Sequence, residues 1–338
     1  FITVEDAKSM GYIIPDNYTS YDDNRFKSAT GEYAVPRLNF DNVDKLMKAA
    51  HENGVKLRGH TLVWHQQTPK YFFQQNYKIT TGQKYNTSKE CMDTRLEFYV
   101  KTVMNHVLSS EYADCLYSYD VVNEYLHSAN AEKDSKNITY WGLIYGTYDK
   151  SVKDHGVTLR PSYVKDAFKY AHEMLVKYDR LDVKLIYNDY NCYQNPENII
   201  HLVDYINSDG KVCDGIGMQS HLDITDSFHS ATNYAKALEY FRLNCPDLEI
   251  QITELDATMV STEDKPLTDE DQAAYYDQIM NAILTNKKNG GNITALIIWS
   301  LYDGVSWRPA KFPCLFNGLY MPKAAFYAVI DAKKQYWD

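Results

Sequence analysis

Apolar residues along the chain follow two different spacings. Short, nearly continuous apolar runs predict buried strands, and longer stretches with apolar residues every three or four positions predict amphipathic helices. The predicted strands are 55–64, 115–125, 183–191, 213–222, 248–257 and 293–303. The predicted helices are 41–53, 89–109, 162–178, 196–207, 230–244, 270–288 and 323–336. Strands and helices that alternate in this way indicate βα units, and strands that are apolar on both faces indicate a covered parallel sheet.

The number of strands favours a barrel that lacks part of its amino end. If the apolar residues 1–4 form a further strand, the chain has seven strands, whereas a (β/α)8 TIM barrel closes with eight. An open doubly wound sheet tolerates seven strands, but no glycine-rich phosphate loop follows any of them. We therefore expect an α/β fold, with residues 1–338 forming a single catalytic (β/α)8-type domain whose first βα unit is absent from this chain. Because open strand edges promote aggregation, we expect an upstream segment, an additional module or another molecule to complete the barrel.

Composition and charge argue against several kinds of partner. The chain has 45 acidic and 35 basic side chains and a net charge of -10, so a polyanion such as DNA is repelled. No apolar run approaches the roughly 20 residues that span a bilayer. The six cysteines lack the C-x-x-C spacing of structural zinc or redox sites and are expected to be mostly buried small side chains. We therefore expect no nucleic acid, membrane, cofactor or metal as a partner.

Polar and aromatic side chains collect where the predicted strands end. In a (β/α)8 barrel the carboxyl ends of the strands build the active site. The residues at these positions are His60, Trp64, His65, Asn123, Glu124, Asn188, Asp189, Asn191, Gln219, His221, Glu254, Asp256, Trp299 and Asp303. One polar strand end is ordinary, but a succession of them predicts a polar cavity that contains carboxylates and has tryptophan walls.

Two glutamates, Glu124 and Glu254, end apolar strands. Cleavage of a glycosidic bond needs a neutral carboxylic acid that protonates the leaving oxygen. It also needs an ionised carboxylate that attacks or stabilises the oxocarbenium-like centre. Asn123 stands beside Glu124, where an amide can hydrogen-bond the 2-hydroxyl of the sugar. These residues favour a glycoside hydrolase.

Two alternatives use the same residues differently. A metal-dependent hydrolase would use His60, His65 and His221 to hold a zinc or manganese ion that activates water. Because His60 and His65 are five positions apart on or just past a strand, their side chains tend to face opposite ways, which disfavours this site. The other alternative is a non-catalytic sugar-binding barrel, which has no need of both glutamates.

Six motifs together resemble the xylanases of glycoside hydrolase family 10. They are "RGHTLVWHQQTP" (58–69), "DVVNE" (120–124), "NDYN" (188–191), "GIGMQSHL" (215–222), "ITELD" (252–256) and "WSLYDGVSW" (299–307). Their order and spacing match over almost the whole chain. The resemblance implies a (β/α)8 barrel that acts as a retaining endo-1,4-β-xylanase on xylan and xylo-oligosaccharides. Because xylan is a polymer, we expect a secreted or cell-surface protein, although this chain shows no signal peptide.

The resemblance also implies roles for individual residues. Glu124 matches the acid/base of the family, Glu254 matches its nucleophile, and His221 matches the histidine that hydrogen-bonds the nucleophile. The residues that match supporting catalytic positions are His221, Asp256, Asn123 and Gln219. The residues that match substrate-binding positions are Glu5, His60, Trp64, Gln67, Tyr190, Asn191, Trp299 and Trp307. Near the amino end, "TVEDAKSM" departs from the family pattern T-x-E-N-x-M-K. The amide is replaced by Asp6, and the lysine either stands one place early, as Lys8, or is replaced by Ser9.

Overall fold

The structure is a computed structural model that describes residues 3–4, 38–75, 82, 87–128, 139–153, 155–260 and 266–337. The strands are β1 (Thr3–Val4), β2 (Leu38–Asn39), β3 (Leu57–Trp64), β4 (Leu116–Asn123), β5 (Lys184–Asp189), β6 (Gly215–Met218), β7 (His221–Asp223), β8 (Glu249–Thr258) and β9 (Ile293–Ile298). The helices are α1 (Asp41–Glu52), α2 (Lys89–Ser109), α3 (Tyr140–Tyr145), α4 (Ser162–Lys177), α5 (Pro196–Ile206), α6 (Ala231–Asn244), α7 (Asp269–Lys288) and α8 (Ala324–Trp337). Most of these bounds lie within two residues of those predicted from the sequence.

The chain groups into two compact units. The first unit contains Phe1–Tyr187 and Leu202–Asp214, and the second contains Asn188–His201 and Gly215–Asp338. The chain passes from the first unit to the second within β5 and returns to the first within α5. It enters the second unit again at Gly215.

In the first unit, β3 and β4 form a parallel pair, with β5 next in the strand order. His60 lies opposite Asp120, and Trp64 lies opposite Asn123 at the carboxyl ends of the two strands. Gly59 is required in this pairing, because a Cβ there would lie 2.3 Å from the ring of Tyr119. Helix α2 packs against α4, and α4 packs against β4. The pairing therefore places the polar ends of β3 and β4 at one edge.

In the second unit, β8 is the central strand and pairs in parallel with β6, β7 and β9. Strands β6 and β7 are separated by Gln219 and Ser220, and Ser220 has a left-handed backbone with φ of 66°. The sequence predicted one continuous strand over 213–222, which is wrong at this break. The interruption lets His221 lie opposite Asp256 on β8.

A second strand prediction is also wrong. Of the predicted strand 1–4, the described residues Thr3–Val4 do not join the main sheet, because they pair antiparallel with Leu38–Asn39 in a separate two-stranded sheet. So short an apolar run contains no information about its partner. The expected lack of a first βα unit, and its completion by another segment, stay predictions.

The buried interior agrees with the predicted amphipathic elements. Five of the six cysteines are buried, as expected, and Cys245 is half-buried. All six are free thiols. Trp141 is 3% exposed and stacks on Tyr163 with ring centroids 5.0 Å apart, so it is a core residue. No helix within the described ranges is long and apolar enough to cross a membrane.

Candidate active site

Glu124 follows the last residue of β4 and is held by side chains from the end of β3. It is 7% exposed, and its φ of 56° turns the backbone sharply where the strand ends. The indole Nε1 of Trp64 donates a hydrogen bond of 2.7 Å to Oε2 of Glu124. Gln66 Nε2 lies 3.5 Å from the same oxygen, and His65 Nε2 lies 4.0 Å from it. One oxygen of this nearly buried carboxyl group is therefore fixed in direction.

Asp120 supports this half of the site from inside β4. Its carboxylate is fully buried and accepts two hydrogen bonds from the guanidinium of Arg58. Oδ2 of Asp120 also lies 2.7 Å from Nδ1 of His60. The three side chains join β3 to β4 and fix the plane of the His60 ring, a role that the sequence analysis did not assign to Asp120.

Glu254 lies in β8, is 5% exposed, and has both carboxylate oxygens engaged. Nδ2 of Asn188 donates a hydrogen bond of 2.9 Å to Oε1, and Nε2 of His221 lies 3.1 Å from Oε2. Thr253 donates from Oγ1 to Oδ1 of Asn188 at 2.7 Å, which sets the orientation of the amide. The carboxylate is thereby held in one direction by donors on both of its oxygens.

His221 connects Glu254 to Asp256. Nδ1 of His221 lies 3.0 Å from Oδ1 of Asp256, whose carboxylate is fully buried. Burial disfavours the charged imidazole, but the hydrogen bonds and charges of Asp256 and Glu254 outweigh it and raise the pKa of His221 to about 9. Near neutral pH the ring is therefore an imidazolium that donates to Asp256 and to Glu254.

Aromatic rings lie beside this second group. The ring of Trp299 lies 6.1 Å from that of His221, and the ring of Trp307 lies 4.7 Å from it. Trp307 is 51% exposed, and the guanidinium of Arg308 stacks 3.8 Å from its ring centroid. Half-exposed indole faces of this kind suit stacking against sugar rings.

The loop after β5 presents Tyr190 and Asn191. Asn191 has a left-handed backbone with φ of 49°, and Tyr193 donates from its hydroxyl to Oδ1 of Asn191 at 2.8 Å. Tyr190 is half-buried. Gln219 is 2% exposed, and its backbone bonds Asp189 on one side and Glu254 on the other. The tyrosine contact that orients Asn191 was not predicted.

The predicted site residues fall into one group per unit. The first unit holds His60, Trp64, Gln67, Asn123 and Glu124, and the second holds Tyr190, Asn191, Gln219, His221, Glu254, Asp256, Trp299 and Trp307. The structure places the side chain of Gln67 in an exposed position and that of Asn123 in a buried one. Glu5 and the neighbouring departure at Asp6 lie outside the described residues.

Asp120 and Gln66 contact these groups, although the sequence predicted no role for either of them. Asp120 carried a signal, because it is a charge inside an apolar run. Asn188 was predicted among the polar strand ends of the cavity, but its hydrogen bond to Glu254 was not predicted. Within the described part of the chain, no group of three or more His, Cys, Asp or Glu side chains is placed to hold a metal ion.

Comparison with known proteins identifies the family of this chain. A family model described as Glycosyl hydrolase family 10 matches residues 7–332. The chain belongs to glycosyl hydrolase family 10. The resemblance seen in its six motifs is confirmed, as are the α/β fold of (β/α)8 type and the glycosidase class that the resemblance implied.

Two relatives of this family 10 chain carry the name endo-1,4-beta-xylanase. Endo-1,4-beta-xylanase A of Butyrivibrio fibrisolvens is 40% identical over 332 residues, which cover 98% of this chain and 70% of that protein. The bifunctional endo-1,4-beta-xylanase XylA of Ruminococcus flavefaciens is 34% identical over 308 residues, which cover 90% of this chain. The chain spans 28% of the length of the Ruminococcus protein.

Solved structures give the same result for the fold. The CBM22-1 and GH10 modules of Clostridium thermocellum endo-1,4-beta-D-xylanase 10B, complexed with xylohexaose, match 87% of this chain and 56% of that chain. The TM-score is 0.71 and the identity 30%. An intracellular xylanase from Thermoanaerobacterium saccharolyticum, a mutant complexed with xylotetraose, matches 87% of this chain and 81% of that chain. Its TM-score is 0.69 and its identity 29%.

Proposed function

We propose that the protein is a retaining endo-1,4-β-xylanase in which Glu254 is the nucleophile and Glu124 the acid/base. The observation that supports this most strongly is the environment of Glu254, whose oxygens accept from Asn188 and from the imidazolium of His221. A carboxylate that is oriented by donors on both of its oxygens is suited to attack carbon. Membership of family 10 and the names of its relatives supply the substrate, β-1,4-linked xylan.

In the first step, Glu254 attacks the anomeric carbon while Glu124 protonates the leaving glycosidic oxygen. The carbon–oxygen bond to the leaving sugar breaks as the bond to Glu254 forms, which gives a covalent glycosyl-enzyme. Oε2 of Glu124 accepts from the indole of Trp64, so the acidic proton belongs on Oε1.

In the second step, Glu124 takes a proton from water, and the water attacks the same carbon. Glu254 leaves as a carboxylate, and the imidazolium of His221 stabilises the charge that returns to it. Two inversions give net retention of the anomeric configuration. Asn123 and the rings of Trp299 and Trp307 are assigned to holding the sugar during both steps.

The two glutamate roles are tested with an activated substrate, dinitrophenyl β-xylobioside, whose leaving group needs no proton. Glu254→Ala removes the nucleophile, so hydrolysis collapses for every substrate. Glu124→Ala still allows formation of the glycosyl-enzyme but slows its hydrolysis, because the attacking water lacks its base. We expect a burst of dinitrophenol from Glu124→Ala followed by a slow phase, and azide restores turnover.

The opposite pattern would reverse the assignment. If Glu254→Ala shows the burst and Glu124→Ala is inactive on the activated substrate, the two roles are exchanged. If both variants keep full activity, the chemistry belongs to other residues.

The site of action is a separate part of the proposal. A polymeric substrate supports action outside the cell, on xylan and its oligosaccharides, as a secreted or cell-surface enzyme. The solved Thermoanaerobacterium relative is described as intracellular. Immunodetection of the protein in culture medium, on washed cells and in the lysate distinguishes the locations, and protein confined to the lysate would contradict this part.

A further inference from the structure

A chain of hydrogen bonds runs from a half-exposed loop residue to the proposed nucleophile. Nε1 of Trp307 donates to Oδ2 of Asp256 at 2.8 Å. The other oxygen of Asp256 contacts His221, whose second ring nitrogen contacts Glu254. The indole that faces solvent is thus linked to Glu254 through two intervening side chains.

Sugar stacking does not account for this geometry. A stacking wall needs only the face of an aromatic ring, which phenylalanine also supplies. Trp307 in addition directs its single donor at a carboxylate that is fully buried. Asp256 is thereby held at both oxygens, by the Trp307 indole and the His221 imidazole.

We propose that Trp307 is a positioning residue for the nucleophile, acting through Asp256 on the protonation of His221. The inference rests on the retaining function proposed above. The indole N–H offsets part of the Asp256 charge, so Asp256 attracts the His221 proton less strongly than it would alone. Glu254 therefore receives a stronger hydrogen bond from the imidazolium of His221. In this way the Trp307 ring, which is suited to stack on a sugar, is coupled to the nucleophile.

The charged groups around His221 define the sign of the effect. Asp256 and Glu254 of β8 face its two ring nitrogens, and Arg308 lies on the ring of Trp307. If the indole donor is removed, the uncompensated charge of Asp256 acts more strongly on His221. The pKa of His221, about 9 in the native protein, should then rise.

Trp307→Phe tests this coupling, because it keeps an aromatic ring and removes only the N–H. Trp299→Phe is the matched control, since Trp299 also has its ring near His221. The hydrolysis of dinitrophenyl β-xylobioside is followed against pH, and this substrate needs no proton from Glu124. The alkaline limb of the pH–rate profile therefore reports the loss of the His221 proton. We expect the limb to move upward by on the order of half a pH unit in Trp307→Phe and to stay in place in Trp299→Phe.

A second readout does not depend on activity. The titration of His221 is followed by NMR of protein with ¹⁵N-labelled histidine, with the resonance identified by its loss in His221→Gln. We expect the same upward displacement in Trp307→Phe. An unchanged titration in Trp307→Phe, or equal displacements in both tryptophan variants, would overturn the inference. If the native protein does not hydrolyse the xylobioside, the proposed function is overturned. The NMR titration would still decide whether Trp307 acts on His221.

Discussion

At the level of single residues, Gly217 determines whether Asn188 reaches Glu254. A Cβ at Gly217 would lie 2.3 Å from Oδ1 of Asn188 and 3.1 Å from Cγ2 of Thr253. Gly217→Ala therefore displaces the amide that holds the carboxylate. We expect a loss of stability of about 1–3 kcal/mol, and a fall in kcat on xylan of up to about 100-fold, the cost of a small misplacement at a reacting group.

Urea unfolding and initial rates on xylan measure these two effects. Gly318→Ala is the control, because a Cβ there meets no atom within 4 Å. We expect native stability and native kcat for that variant. Equal losses in the two alanine variants would show that Gly217 has no special relation to Asn188.

The two glutamates could be predicted from the sequence because each stands where an apolar run ends, and their neighbours form recognisable motifs. The contacts that hold them could not be predicted with the same ease. Asn188 and Glu254 are 66 positions apart, so only the folded chain shows that they meet. The left-handed backbone of Ser220 was equally hidden, because serine is not a residue that marks this conformation.

At the level of secondary-structure elements, Asp120 joins β3 to β4. Asp120→Ala leaves the Arg58 guanidinium, which is only 9% exposed, without its carboxylate, and it frees the His60 ring. Loss of one partner of a buried ion pair costs about 3–5 kcal/mol. We expect a loss of stability of that order, measured by urea unfolding, together with weaker binding of xylo-oligosaccharides.

Asp114→Ala is the matched control for Asp120→Ala. Asp114 also contacts a histidine, His51, but the aspartate and histidine side chains are 64% and 42% exposed. Surface pairs of this kind add little stability. We expect an unfolding midpoint close to that of the native protein. A midpoint as low as that of Asp120→Ala would show that burial of the Asp120 contacts is not the reason for their contribution to stability.

Most elements were predictable because their apolar spacing extends over many residues, as in α2 and α7. Short elements were not. Helix α3 has six residues, too few for a periodic pattern to be recognised, and Thr3–Val4 has two. A pair of residues can form a strand with many partners, so its antiparallel pairing with Leu38–Asn39 was decided by tertiary context.

At the level of the whole molecule, His221 links stability to pH. Its pKa is about 9 in the folded protein against an ordinary value of 6.5. A raised pKa means that the folded state holds the proton more tightly, so the stabilisation is fully present below about pH 6.5 and is lost as pH rises through about 9. We expect the free energy of unfolding to fall across this window in the native protein. We expect a flatter dependence in His221→Gln.

Chemical denaturation at several pH values between about 6 and 10 measures this dependence. His229→Gln is a useful control, because burial lowers the pKa of His229 and its titration has the opposite sign. Parallel curves for the native protein and His221→Gln would show that His221 does not contribute stability through its charge.

In the proposed mechanism Glu254 forms a covalent bond to the sugar. Incubation of the native enzyme with dinitrophenyl 2-deoxy-2-fluoro-β-xylobioside, followed by mass-spectrometric mapping of the labelled peptide, detects this bond. The fluorine slows hydrolysis of the glycosyl-enzyme, so a retaining enzyme accumulates it. We expect one fluoroxylobiosyl group per chain, attached to Glu254 in the "ITELD" segment. A label on any other residue, or an active enzyme that acquires no label and releases product of inverted configuration, would show that Glu254 is not the nucleophile.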